Sequence, residues 1–158
     1  MKLMLDTNIF DKLSINASDA LLLKQLSLSR QLEVFITSVQ INQINQITDD
    51  NKRNRLLALL SDVAPTKLIV EYAPYGYSYG ERYGQPTSDV ILDRDKFITS
   101  QSHIEDAIIA ATASSAKYNL DFVVTDDIKF RKKLNAQSIG TKAINYKELV
   151  YKINSMAT

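Results

Sequence analysis

Lys2-Leu3-Met4-Leu5-Asp6-Thr7-Asn8 opens the chain with a short apolar run that stops at a polar tip. Such a run predicts a buried first strand, with Asp6 at its carboxyl end. Working outward, the same pattern recurs. Val34-Phe35-Ile36 is apolar and partly β-branched and suits a second buried strand. Lys67-Leu68-Ile69-Val70-Glu71-Tyr72 is a third candidate, and Phe122-Val123-Val124-Thr125 a fourth that ends at Asp126-Asp127. Ile139 is expected in a last edge strand.

Helical patterns fill the intervals. Residues 18–31 place Leu22, Leu23, Leu26 and Leu28 on a core side. A helix opens at Thr37 or Ser38, where Thr37 and Gln40 have the spacing of a capping box, and Ile41, Ile44 and Ile47 form its stripe. Asp49 to Asp62 turns Leu56, Leu57, Leu59 and Leu60 inward and Lys52, Arg53 and Arg55 outward. Ser102 to Tyr118 begins with a second capping-box pair, Ser102 and Glu105, and continues Ala-rich. Asp89 to Phe97 is weakly helical, Phe130 to Leu134 forms a short helix, and Tyr146 to Ile153 closes the chain. Residues 74–87 hold two of the three prolines, three of the four glycines and Tyr75, Tyr77, Tyr79 and Tyr83, which predicts a loop. Strands alternating with helices predict an α/β sandwich with a largely parallel sheet.

The 158 residues, 45% of them hydrophobic, suffice for one domain over 1–158 with a sizeable core. There is no cysteine, which excludes disulfides, thiolate zinc sites and cysteine nucleophiles. His103 is the single histidine, so a multi-histidine metal site within one chain is excluded too. Metal chemistry must then be oxygen chemistry. The 19 basic and 18 acidic residues nearly cancel, so contacts to nucleic acid would rest on local patches. No apolar run approaches membrane-spanning length, and Asp6 interrupts the start too early for a signal-peptide core. The expectation is a soluble cytoplasmic chain with no membrane association.

In a parallel sheet, ligands bind beyond the carboxyl ends of the strands. Asp6 and the Asp126-Asp127 pair follow strands, and Asp106 falls in the first turn of a helix, where negative charge is favoured. Carboxylates that converge repel unless a cation neutralises them or one is protonated. Mg²⁺ or Mn²⁺ meets that need and leaves water positions open for phosphodiester hydrolysis. Each residue also has an ordinary structural use. Asp6 suits a turn or cap, Asp106 a first-turn acid, and Asp126 an N-cap with Asp127 beside it. His103 suits an exposed helix start, and Lys129, Arg131, Lys132 and Lys133 a solvated helix face. The tyrosines of the loop suit packing or a protein interface.

As an ordered set these segments resemble the PIN-domain family. Those that carry the resemblance are Leu5-Asp6-Thr7-Asn8-Ile9-Phe10, Ile36-Thr37-Ser38-Val39, Ile104-Glu105-Asp106-Ala107-Ile108-Ile109-Ala110-Ala111 and Val124-Thr125-Asp126-Asp127-Ile128-Lys129-Phe130. The order and spacing match over essentially the whole chain. The resemblance implies a three-layer α/β/α sandwich with an acidic pocket for one or two Mg²⁺ or Mn²⁺ ions. It implies an endoribonuclease, and a free-standing domain of this length looks like the toxin of a VapBC toxin–antitoxin pair. By position, Asp6, Asp106 and Asp127 would bind metal, with Asn8 and Thr125 orienting the carboxylates. Lys129, Arg131, Lys132 and the 52–55 cluster would contact the RNA backbone. A cognate antitoxin and a homodimer are the implied protein partners, with the apolar helix surfaces near 41–60 and the Tyr-rich loop as candidate interfaces.

One catalytic position departs from the family pattern. The second acid is usually a Glu five residues beyond the Ser of the Ser-Val step, and here that position is Gln43. No Asp or Glu occurs from Val34 to Thr48, so no register shift restores it. A glutamine supplies no charge and is a poor general base, so activity is expected to be lowered or abolished. A weaker or single-metal nuclease, a lost activity with binding retained, and an engineered Glu→Gln change all fit. The alternative from another class is a catalytically inactive PIN-fold module that binds RNA or protein. A haloacid-dehalogenase-like phosphatase wants an acid where Asn8 stands, and a response-regulator receiver wants paired acids at the start.

Overall fold

The computed structural model describes residues 1–63, 65–70, 104–138 and 140–157. The expected loop at 74–87, the weak helix at 89–97, Ser102, His103 and Ile139 lie outside the described residues. Among the described residues the chain runs β1 (Lys2–Leu5), α1 (Thr7–Ile15), α2 (Ala17–Leu28), β2 (Glu33–Thr37), α3 (Ser38–Asn45), α4 (Asp50–Val63) and β3 (Thr66–Leu68). It continues as α5 (Ile104–Ala113), β4 (Phe122–Val124), α6 (Ile128–Gln137), β5 (Lys142–Ile144) and α7 (Tyr146–Met156).

The five strands pair in parallel in the order β3-β2-β1-β4-β5. Leu3 lies opposite Val34 and Phe122, and Met4 opposite Phe35 and Val123. Side chains alternate across a strand, so each apolar run feeds two cores. Leu3, Leu5, Val34, Ile36, Val124 and Ile144 pack on one face against α1, α2, α4 and α7. Met4, Phe35, Val123 and Ala143 pack on the other against α5 and α6. α3 crosses the sheet's end, with Val39 in the second core and Ile44 in the first. The three-layer α/β/α sandwich follows directly from these buried runs.

Several elements depart from the sequence-based expectations. The Asp6-Thr7-Asn8 tip is also the start of a helix, because Asp6 N-caps α1 by accepting a hydrogen bond from Thr7 N at 2.7 Å. Ile9, Phe10 and Leu13 are the buried face that makes α1 stable. Leu28, expected inside, is 75% exposed at the last residue of α2. α5 ends at Ala113 rather than Tyr118, since the Thr141 hydroxyl bridges the carbonyls of Ala113 (2.8 Å) and Leu120 (3.0 Å) and replaces a further helical turn. Asn119, with φ 48°, then turns the chain into β4, a left-handed conformation that asparagine tolerates. The edge strand lies at Lys142–Ile144, beyond the expected Ile139, and β3 stops at Leu68.

β2 and β3 lie on one side of β1, and β4 and β5 on the other. The winding therefore reverses between β1 and β4, and the crevice beyond their carboxyl ends is where such a fold accepts a ligand.

Phe10→Ala is expected to lower the unfolding free energy by about 3–5 kcal/mol, because it empties a fully buried position. Leu28→Ala should change it by less than about 0.5 kcal/mol. Denaturant titrations of the two variants check both figures.

Candidate active site

The reversal point is built around Asp6. Its Oδ1 caps α1, and its Oδ2 accepts from the Thr125 hydroxyl at 2.6 Å and from Asn8 Nδ2 at 2.7 Å. Thr125 is fully buried at the end of β4, and its hydroxyl also accepts from Asn8 Nδ2 and from Asp127 N, each at 3.1 Å. One donor and two acceptor positions of a single hydroxyl are thus all used. Asn8 completes the bridge between strands, since its Oδ1 accepts from Asp126 N at 3.2 Å. Burial pushes the Asp6 carboxyl above the usual carboxylate range and the Asp127 charge adds to this, while the hydrogen bonds from Thr125, Thr7 and Asn8 work against it.

The two neighbouring acids after β4 have different surroundings. Asp127 N-caps α6 through a hydrogen bond from Phe130 N at 2.9 Å, the role considered above for Asp126. Asp126 instead pairs with Lys12 and accepts from Tyr146 N at 2.9 Å. Burial works against its charge, but these two partners outweigh it and hold its carboxyl below the usual range.

A second arm reaches the crevice from α3. Thr37 and Gln40 form the expected capping box, and Gln40 Nε2 donates to the Leu5 carbonyl at 3.4 Å, tying the start of α3 to the end of β1. One turn later, Gln43 Oε1 accepts from the Thr7 hydroxyl at 2.5 Å and Gln43 Nε2 donates to Glu105 Oε2 at 2.5 Å. Gln43 therefore stands at the site, next to the residue that follows Asp6. Asp106 is half-buried in the first turn of α5, one residue beyond Glu105.

In the sequence Glu105 stands as a capping partner of Ser102 and as a member of the segment around Asp106, and neither place points to its contact with Gln43. Two signals were available: two adjacent acids in one first turn, and an amide where the family pattern has an acid.

Lys129 and Lys132 are exposed on α6, whereas Arg131 donates to the Thr125 carbonyl at 3.0 Å and so braces the site from behind. The 52–55 cluster is engaged within the fold. Lys52 pairs with Asp11 at 2.7 Å, Arg53 with Asp50 at 2.5 Å, and Arg55 donates to Ser14 Oγ at 3.2 Å.

The site's donors are all oxygens, with Asp6 and Asp127 close enough to feel each other's charge. That set fits a Mg²⁺ or Mn²⁺ ion that keeps much of its water. Among the described residues, no three His, Asp or Glu side chains gather closely enough to hold an ion by themselves.

No protein-family model matches this chain, and no curated protein matches it. Among solved structures it is similar to a chain in the crystal structure of VapBC2 from Rickettsia felis bound to a DNA fragment from their promoter. The TM-score is 0.52 at 16% identity, over 92% of this chain and 98% of that one. The fold is PIN-like. In this PIN-like frame, Asp6 and Asp127 flank the reversal point, and Gln43 and Glu105 meet beside it. No helix among the described residues is long and apolar enough to cross a membrane.

Thr125→Val removes the hydroxyl shared by Asp6 and Asp127 while keeping the shape. The metal-free protein is expected to lose about 1–3 kcal/mol in a denaturant titration, because a half-buried carboxylate and a backbone N–H both lose a partner. Asp126→Asn should cost at most about 1 kcal/mol at pH 7, since its ion pair is partly exposed. A lowered folded-state pKa stabilises above the ordinary value of 3.8, and that contribution is lost as pH falls through the folded value. The difference between Asp126→Asn and wild type should therefore shrink below about pH 4 in thermal unfolding.

Proposed function

We propose that this chain is a metal-dependent endoribonuclease of PIN type, the toxin of a toxin–antitoxin pair, with activity lowered or abolished by Gln43. The observation that carries the reading is the placement of Asp6. A half-buried carboxylate is held by neutral donors at the crevice between β1 and β4, with the Asp127 charge beside it. A fold keeps such a costly charge where a cation offsets it. The likeness in fold to a chain of VapBC2 supports the same reading.

In this reading Asp6, Asp106 and Asp127 would hold Mg²⁺ or Mn²⁺, drawing together around an ion from positions that are too far apart to hold one as they stand. The ion, when bound, supplies a water of lowered pKa and positive charge beside the scissile phosphate. Thr125 and Asn8 orient the Asp6 oxygens and keep them from turning towards solvent. Arg131 fixes the β4 end through the Thr125 carbonyl, and the exposed Lys129 and Lys132 take RNA phosphates next to Asp127. Gln43 brings an amide instead of a charge, so it neither strengthens cation binding nor accepts a proton. The protein partners are an antitoxin that covers the acidic crevice and a second copy of the chain, and the compartment is the cytoplasm.

A second reading is supported by Gln43 itself. Its amide is engaged on both sides, by Thr7 and by Glu105, which suits a module that binds RNA or protein without cleaving.

An RNA-cleavage time course with Mg²⁺ or Mn²⁺ separates the two readings. Gln43→Glu is expected to cleave faster than the chain as it stands, and Gln43→Glu with Asp6→Asn should fall by at least about a hundredfold. Absence of cleavage by all three on a broad RNA panel would favour the binding module. Cleavage indifferent to Asp6→Asn would refute the assignment of the site.

A further inference from the structure

We propose that Glu105 supplies the site with the carboxylate that position 43 lacks, and that Gln43 is the positioning residue that holds it there. This rests on the metal-dependent reading above and assigns a role to a residue outside its acid set. The argument starts from the chemistry of the amide. An ionised carboxylate only accepts hydrogen bonds, so Glu105 selects the NH₂ end of Gln43, at 2.5 Å. The carbonyl end is then left for a donor, and the Thr7 hydroxyl provides one, also at 2.5 Å. Thr7 is the residue after Asp6 and gives its backbone N–H to the Asp6 carboxylate at 2.7 Å. Asp6, Thr7, Gln43 and Glu105 are thus linked in one path from the start of α1 through α3 to α5.

A glutamate at position 43 could not make this path without a proton or cation between two facing carboxylates. The glutamine removes that conflict and lets an acid from α5 occupy the space. α5 suits the exchange because Glu105 lies in its first turn, where the helix N-terminus favours negative charge. α3 has no Asp or Glu of its own, so the carboxylate on this side of the crevice comes from α5 instead.

The test compares Mn²⁺ affinity by calorimetric titration and the metal-free melting temperature for wild type, Glu105→Gln, Gln43→Glu, the Gln43→Glu/Glu105→Gln exchange and Asp6→Asn. Glu105→Gln is expected to weaken Mn²⁺ binding by about tenfold or more. Gln43→Glu should lower the metal-free melting temperature and tighten Mn²⁺ binding, since two carboxylates then face each other. The exchange variant should return both readouts close to wild type, because the amide and the carboxylate have traded places and still pair. Wild-type Mn²⁺ affinity in Glu105→Gln, with binding lost in Asp6→Asn, would overturn the role of Glu105 and leave the metal site standing. Should Glu105→Gln fail to fold, the same comparison is made on Glu105→Ala, where wild-type Mn²⁺ affinity would overturn it equally. Binding unaffected by Asp6→Asn, or no Mn²⁺ uptake by wild type, would overturn the metal reading and this proposal together.

Discussion

The Asp6 carboxylate sits at the carboxyl end of the central strand, half-buried and met only by neutral donors in the hydrogen bonds that hold it. Each donor belongs to a different level of the structure. Thr7 N is available because α1 begins there, Asn8 because it lies in the helix's first turn, and Thr125 because β4 pairs with β1 in the register that sets Leu5 opposite Val124. Slip that register by one residue and the hydroxyl faces the wrong side of the sheet. The sandwich can hold an ionisable group at this position because apolar layers on both faces stabilise the strands around it. Stability is yielded at one point and recovered elsewhere, the arrangement expected where a site sets the requirement.

How much of this was legible depends on how local each cause is. The buried strands were, because three or four consecutive apolar residues cannot sit on a surface strand and are too few for a helix. Strand and helix alternation then implied the layers. α1 was hidden because Asp-Thr-Asn signals a turn as readily as a helix start. The spacing of Ile9, Phe10 and Leu13 was the local evidence that would have decided between them. The end of α5 was not legible at all. Ala-rich sequence favours continuing the helix, and the hydroxyl that terminates it comes from Thr141, on the approach to β5.

The candidate site divides along the same line. Asp6, Asn8, Thr125 and Asp127 lie within a few residues of two strand ends, so a reading of the strands finds them. Glu105 meets Gln43 across 62 positions of sequence, and no periodicity announces that contact. The basic residues show the reverse effect. Lys52, Arg53 and Arg55 make a conspicuous cluster in sequence, yet the fold uses them to fasten α4 to α1 and to its own first turn. Arg131 looks like one member of a charged helix face, and its guanidinium instead secures the carbonyl of Thr125.

Asp126 and Asp127 show how the fold distributes charge around the crevice. They are adjacent in sequence and alike in chemistry, so their difference comes wholly from what the tertiary structure brings to them. Asp126 receives the Lys12 ammonium and the Tyr146 N–H, and its charge is compensated on the spot. Asp127 receives the start of α6, whose dipole supports its charge without cancelling it, and its field reaches Asp6. Had Lys12 paired with Asp127 instead, the crevice would carry its own counter-ion and have little use for another. By spending the lysine on the acid one residue away, the structure ties down the loop that carries Asp127. The negative charge of Asp127 between β1 and β4 is left without that lysine, and Asp6 feels it.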